Sequence, residues 1–252
     1  MMSDQPTISV IIPVYNGAEF VTQALDNVFS QGIELHEVIV VDDGSNDGSS
    51  NVVRAYPAEV MLIEQENAGP GAARNTGIKA ATGEFVAFLD VDDLWPEGKL
   101  QRQLDVMQGD PSLSLVLGVV QHVNEDGAET FEMQFEDEDN KTIPFFHFGA
   151  GLYRMDAFST VGLISEELKD SEDHDWFIRL KEAGLNWLVE NDVGLIYRRH
   201  FTNMTQPGPL HNTELFKVLA LSLKRRRGAD GTQRIERLTD RRAEQPQEEG
   251  DA

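Results

Sequence analysis

Hydrophobic and polar positions along the first half of the chain switch repeatedly between a strand pattern and a helix pattern. Ile8–Val14 is an apolar run rich in β-branched residues, as expected of a strand buried on both faces. Residues 17–31 follow with apolar side chains at positions 20, 21, 24, 25, 28 and 29, which is helical spacing. Residues 38–41 form a second buried strand, and Asp43-Gly44-Ser45 reads as a turn. Asn46 or Asp47 offers a cap for a helix reaching about Tyr56. Residues 60–63 predict a third strand, 67–71 a loop, 72–81 a helix, Gly83 a break and 84–89 a fourth strand. Residues 96–107 predict a helix with proline near its first turn. Strands alternating with helices in this way predict an α/β fold on a doubly wound, mostly parallel sheet.

The second half has a different rhythm. Residues 115–123 and 130–135 flank Asn124-Glu125-Asp126-Gly127 and predict a hairpin. Glu136-Asp137-Glu138-Asp139 reads as a solvated acidic loop. Residues 149–154 predict a loop or short strand entering a helix through Phe158. Residues 172–183 read as a helix and 186–197 as mostly strand. Residues 215–223 form an apolar helix that ends in Lys224-Arg225-Arg226-Arg227. Two readings of that segment stay open. The simpler is a core helix with cations at its C-terminus, and the other is a peripheral contact of residues 215–227 with an anionic membrane. Residues 1–227 therefore read as one domain, with a first half over about 8–110 and a second over about 111–227. Residues 228–252 are charged, lack aromatics and read as a disordered tail.

Charge narrows the function. The formal net charge is -23 over 252 residues, which opposes binding to nucleic acid. The tail contributes only about -3 of it, so the acidity belongs to the body. There are no cysteines, which excludes disulfides, thiolate metal sites and cysteine nucleophiles. The polar start of the chain has no leader pattern, and no run approaches the ~18 apolar residues of a membrane span. The expectation is a soluble, cytoplasmic protein.

The candidate chemistry lies in acids at strand ends. Asp42-Asp43 closes the second strand, and Asp90-Val91-Asp92-Asp93 closes the fourth. Ligands of open α/β sheets sit beyond the carboxyl ends of strands. Anions crowded there call for a cation, and a hard divalent ion with oxygen ligands would leave positions for substrate phosphates. Alternation along an extended segment would put Asp90 and Asp92 on one side. Asp42-Asp43-Gly44-Ser45 reads either as an Asx turn or as an acceptor for a nucleobase N–H. The small residues of Asn67-Ala68-Gly69-Pro70-Gly71 would let backbone approach an anion at a helix start, with Arg74 either on phosphate or on the surface. Ser171-Glu172-Asp173-His174-Asp175 packs acids at another helix start, where they are either capping groups or, at Asp173, a general base. His200, after the last strand, is either structural or a metal or phosphate contact.

In order along the chain, Ile11-Ile12-Pro13-Val14-Tyr15-Asn16, Val41-Asp42-Asp43-Gly44-Ser45, residues 67–77, Phe88-Leu89-Asp90-Val91-Asp92-Asp93 and Glu172-Asp173 with Arg179 resemble glycosyltransferase family 2. The resemblance covers about residues 8–200. It implies the GT-A fold and metal-dependent, inverting transfer of a sugar from a nucleotide-diphosphate sugar, a UDP-sugar foremost. The implied acceptor is a hydroxyl of a saccharide, lipid-linked or glycoconjugate molecule, in cell-surface polysaccharide or glycoconjugate synthesis. Pro13, Tyr15 and Asp43 would line the nucleoside pocket, and Gly71 and Arg74 would lie near the donor. Asp90 and Asp92 would hold Mn²⁺ or Mg²⁺ and the diphosphate, Asp92 as direct ligand. Asp173 would be the catalytic base, and His200 would sit on the donor or metal side. The chain departs from the pattern at Val161-Gly162-Leu163-Ile164, where relatives often have Gly-Gly-Phe on the acceptor side. A non-catalytic nucleotide-sugar sensor remains an alternative. A D-x-D hydrolase or phosphatase fits less well, because the motif follows a fourth strand rather than the first.

Overall fold

The computed structural model describes residues 6–124, 130–132, 135–136, 142–143, 146–168, 171–199 and 211–228. Strands β1 (Ile8–Val14), β2 (Glu37–Asp42), β3 (Met61–Glu64) and β4 (Phe85–Phe88) alternate with helices α1 (Val21–Phe29), α2 (Ser49–Arg54) and α3 (Pro70–Ala80). Helix α4 (Lys99–Gly109) leads to the long strand β5 (Leu113–Asn124), which pairs antiparallel with β6 (Thr130–Glu132) as the predicted hairpin. The short strands β7 (Phe135–Glu136) and β8 (Thr142–Ile143) pair with each other. A 3-10 turn at Phe148–Ala150 precedes β9 (Gly151–Arg154), α5 (Met155–Val161), α6 (Glu172–Glu182), β10 (Asn186–Arg199) and α7 (His211–Gly228). The acidic loop 137–139, His200 and the tail beyond 228 lie outside the described residues.

The main sheet runs β10-β5-β9-β4-β1-β2-β3, with β6 added on β5. β1, β2, β3 and β4 are mutually parallel, as are β5 and β10. β9 runs antiparallel between β4 and β5 and joins the two halves in one mixed sheet. The central parallel strands β1, β2 and β4 are buried on both faces, so they read as continuous apolar runs rather than alternating ones, while β3 at the edge is partly exposed. Helix α1 buries Val21, Ala24, Leu25 and Val28, the i, i+3, i+4, i+7 face that its spacing foretold. Helix α3 lies so close to β1 that a Cβ on Gly77 would stand 2.4 Å from Ile11 Cγ2. Under the acidic edge, Phe88 packs edge-on against Phe148, Tyr153 and Phe158, with ring centroids 5.4, 5.6 and 5.8 Å away. Trp176 of α6 closes on Phe158 at 4.7 Å, so one aromatic core supports both halves.

Candidate active site

The order of the strands creates the cleft. β1 continues to β2 on one side and is flanked by β4 on the other, which makes it the switch point of the sheet. β1 pairs with β2 as far as Val14, but with β4 only as far as Ile11. Pro13 sits beyond the last β4 partner, where its missing N–H leaves no ladder bond unmade. The strands part there, and both acidic segments emerge at that end.

The two acids of β2's end hold loops. Asp42 accepts the Ser45 N–H at 2.8 Å and the Ser50 hydroxyl, so it builds the turn. Asp43 is buried; its Oδ1 accepts Gln65 Nε2 at 2.7 Å and the Ala68 N–H at 2.9 Å, and its Oδ2 accepts the Gly69 N–H at 2.8 Å. Those bonds fix the loop into α3, and one acceptor position on Oδ2 remains. Gly44, at φ +80°, lets this turn approach the Asn67 backbone, where a Cβ would come within 2.8 Å of Asn67 N. Tyr15 projects half-exposed from the neighbouring loop.

The acids after β4 close a turn, the Asp93 N–H donating to the Asp90 carbonyl at 3.0 Å. They are not the extended segment that alternation presupposed, because the following Leu94 turns to bond the backbone of Ile196 on β10. Arg198 of β10 grips this turn: its N–H donates to Asp93 Oδ1 at 3.0 Å and its side chain to the Asp92 carbonyl. Asp93 is fully buried, and burial, then the Asp92 and Asp90 charges, push its carboxyl well above the ordinary range. Its Oδ2 has no hydrogen-bond partner among the described residues. Asp90, Asp93 and His147 each offer a ligand atom, all within 4.8 Å of one another. The His147 Nδ1 accepts the Gly149 N–H at 3.1 Å, which leaves Nε2 facing Asp90 at 3.6 Å. Burial holds the His147 imidazole below its usual value against the pull of Asp90 and Asp173.

Arg74 is neither a surface residue nor open to a phosphate. It is buried, with Nη2 donating to both Asp90 oxygens at 2.6 and 2.8 Å and Nη1 to Glu172 at 2.8 Å. Its guanidinium also stacks over Phe148 at 5.5 Å. It thus bolts the end of β4 to the start of α6. Gly71, one turn earlier, permits a close approach, but to protein: a Cβ would stand 2.7 Å from the Ser165 carbonyl.

The start of α6 carries Glu172, Asp173 and Asp175 in its first turn, where the helix dipole favours anions. Burial pushes Glu172 up to about 7, with Arg74 pulling down and Asp173 pushing further up. Burial would also raise Asp173, but the His174 charge and hydrogen bonds outweigh it and hold Asp173 below its ordinary value. Asp173 Oδ1 accepts from His174 Nδ1 at 2.8 Å and from the His174 N–H at 2.7 Å. Asp175 is occupied by Arg179 at 2.8 Å and Arg225 at 3.0 Å, so its role is structural. The departing segment 161–164 is stapled to α6, Arg179 donating to the Val161 and Leu163 carbonyls and Trp176 to that of Gly162.

Of the expected residues, Arg74, Asp90 and Asp173 converge on one network, and Pro13, Tyr15 and Asp43 border the same sheet edge. Asp92 shares the acidic turn and acts on Asp93 and His147 through its charge. Sequence reasoning did not find His147 or the pairing of Arg74 with Glu172, and it grouped Asp93 with the acids without giving it a role.

Residues 9–162 match the family described as Glycosyl transferase family 2. The chain belongs to glycosyltransferase family 2. It is 35% identical over 211 residues to Glycosyltransferase AglE of Haloferax volcanii, covering 77% of this chain and 67% of that protein. Among solved structures, S. aureus TarS 1-349 in complex with UDP-GlcNAc matches with a TM-score of 0.68 and 24% identity, over 86% of this chain and 65% of that one. The mannosyltransferase PcManGT of Pyrobaculum calidifontis, in complex with GDP-Man and Mn²⁺, matches with a TM-score of 0.65 and 22% identity, over 88% and 65%. At these identities the structural likeness speaks for the shared GT-A fold. The chain spans about half the length, or less, of several curated relatives it matches. No described helix is long and apolar enough to cross a membrane.

Proposed function

We propose that this chain transfers a sugar from a nucleotide-diphosphate sugar, a UDP-sugar foremost, to an acceptor hydroxyl with inversion at the anomeric carbon. The acceptor is a saccharide, lipid-linked or glycoconjugate molecule of cell-surface polysaccharide synthesis, met on the cytoplasmic side. The observation that carries this reading is the bridge from Asp90 through Arg74 to Glu172, which couples the acids of β4's end to the start of α6.

A divalent cation suits the residues present. Asp90, Asp92 and Asp93 crowd three carboxyls on one turn, the buried Asp93 Oδ2 has no hydrogen bond among the described residues, and the His147 ring stands beside them. Carboxylate oxygens are donors that Mn²⁺ and Mg²⁺ both accept, while His147, whose Nδ1 accepts the Gly149 N–H, keeps its proton on the Nε2 that faces Asp90. Asp92 and Asp90 would hold it, Asp92 directly, with His147 beside Asp90. When bound, the ion supplies positive charge against the departing diphosphate.

The chain's own residues do the rest. Asp43, with its remaining acceptor position, receives a base N–H, while Pro13 and Tyr15 border the nucleoside and Gly71 the loop on the donor side. Arg74 positions Asp90 rather than touching phosphate. His200, which lies outside the described residues, would act on the donor or the metal side. Asp173, ionised through the neutral range, takes the acceptor's proton as the oxygen attacks. Direct displacement needs no second carboxylate as nucleophile. A thermal-shift panel of nucleotide sugars with and without Mn²⁺ tests the proposal. At one hundred times the dissociation constant a donor stabilises by about 2.7 kcal/mol, which is roughly 5–10 °C at this chain length. One base class should give that shift, and only with metal. No shift with any donor, with or without Mn²⁺, would refute the reading.

A further inference from the structure

Among the described residues, helix α7 is attached by one face and exposed on the other. Val218 and Ser222 are buried, and Ser222 donates to Glu182 at 2.5 Å. Arg225 completes the attached face, reaching Glu182 at 2.7 Å and Asp175 at 3.0 Å. Leu215, Leu219 and Leu223 repeat every four residues and run as an exposed stripe from the flank of the helix to the outward Phe216. Phe216 is 70% exposed, Leu219 45% and Leu223 47%. At 100° per residue, Phe216, Leu223 and Arg227 point almost directly away from the attached face, with Lys224 beside them. Lys224 and Arg227 are exposed. The core-helix reading of this segment therefore holds for only half of its circumference.

We infer that this face of α7 docks on the surface of an anionic lipid bilayer. A stripe of Leu and Phe edged by Lys and Arg is the composition of a helix lying in the plane of a membrane interface. The charge is the second argument. In a chain of net charge -23, the only run of four cations adjoins this stripe. Among the described residues, Glu182 and Asp175 beside it are paired with Arg225 and Arg226, which leaves Lys224 and Arg227 to face outward. Glu214, in the first turn of the helix, is about 15 Å from Lys224 at 1.5 Å per residue and so beyond the ~8 Å screening length at physiological salt. Those described acids thus repel an anionic surface weakly where the helix meets it. A second copy is a poorer occupant, because it brings another -23. The side-chain bonds of α7 run to α6 and to Glu167, so docking would fix the α6 side of the molecule at the lipid. This inference does not depend on the sugar-transfer reading.

Flotation of the full chain with vesicles tests it. Vesicles of phosphatidylcholine with 30% phosphatidylglycerol, roughly the anionic content that attracts basic segments, are compared with pure phosphatidylcholine. The chain should float with the anionic vesicles and at least about tenfold less with the neutral ones, with binding that weakens as salt rises. F216D/L219D should abolish flotation. K224Q/R227Q should weaken it about 25-fold, five-fold per cation, which corresponds to about 1 kcal/mol for each. All four side chains point outward, so thermal melting should show unchanged folding. Failure of the native chain to float with anionic vesicles would overturn the inference. So would flotation indifferent to F216D/L219D, or a dimer dissolved by those substitutions without any lipid binding.

Discussion

Replacing Arg74 with methionine removes the guanidinium and keeps the apolar stem. Three charge-assisted bonds disappear, at 2.6 and 2.8 Å to Asp90 and 2.8 Å to Glu172. Removing one partner of a buried ion pair destabilises by about 3–5 kcal/mol, because the remaining charge stays buried. Asp90 retains 23% side-chain exposure and Glu172 only 9%, so the larger share falls on Glu172. For a chain of this length the deficit lowers the melting temperature by about 10 °C. The dependence on pH identifies the cause. Burial raises the folded Glu172 carboxyl to about 7 from its ordinary 4.5, and Arg74 pulls against that rise. In R74M the folded value climbs further. A carboxyl raised in the folded state is most favourable to folding when protonated, and stability is lost as pH rises past its unfolded value. Between 4.5 and 7 the two proteins lose stability to Glu172 alike. Above 7 the native Glu172 has ionised and the loss stops, while the variant goes on losing. Urea denaturation at pH 6 and pH 8 should therefore show a larger deficit for R74M at pH 8. A deficit below 1 kcal/mol, or equal deficits at both pH values, would refute the pairing as the source of stability.

Other perturbations should behave as the packing dictates. E172Q lacks the titrating carboxyl, so its stability should fall less than that of the native chain between pH 4.5 and 7, read from paired denaturation curves. G77A places a methyl 2.4 Å from Ile11 Cγ2 and should destabilise by about 1–3 kcal/mol in the same assay. R198A frees the turn that carries Asp92 and Asp93 and should raise the donor concentration needed for half-maximal turnover more than it lowers the maximal rate. An unchanged half-saturation point would mean that Arg198 does not position the acids.

The parallel half was legible because its central strands are buried on both faces and α1 on one. Continuous runs such as 38–41 and the i, i+3, i+4 spacing of α1 leave few other foldings open. Asp90 could be placed because an acid following a buried strand must sit at the sheet's mouth. The Arg74 clamp was hidden, since Glu172 lies 98 residues away and nothing in either local pattern announces the other. His147 was hidden for a related reason. It stands alone before a 3-10 turn, with no ligand spacing around it, and only the return of the chain through β9 beside β4 brings it to Asp90. The acidic turn differs from an extended segment because β10 pairs with Leu94 from across the sheet. For α7 the sequence left a core helix and a membrane contact both open, because an apolar helix looks the same in sequence whether it packs on one side or on all.

Comparison of the native chain with D173N, in metal-dependent donor binding by calorimetry and in nucleoside-diphosphate release with acceptor, bears most directly on whether the acids of β4 and the start of α6 act on one sugar. The substitution removes the proton acceptor and leaves Asp43, Asp90 and Asp92 in place. Donor affinity should stay within about threefold while release falls by roughly 10²–10⁴, the usual contribution of a general base. Near-native release by D173N, or loss of donor binding in step with loss of release, would contradict the assignment.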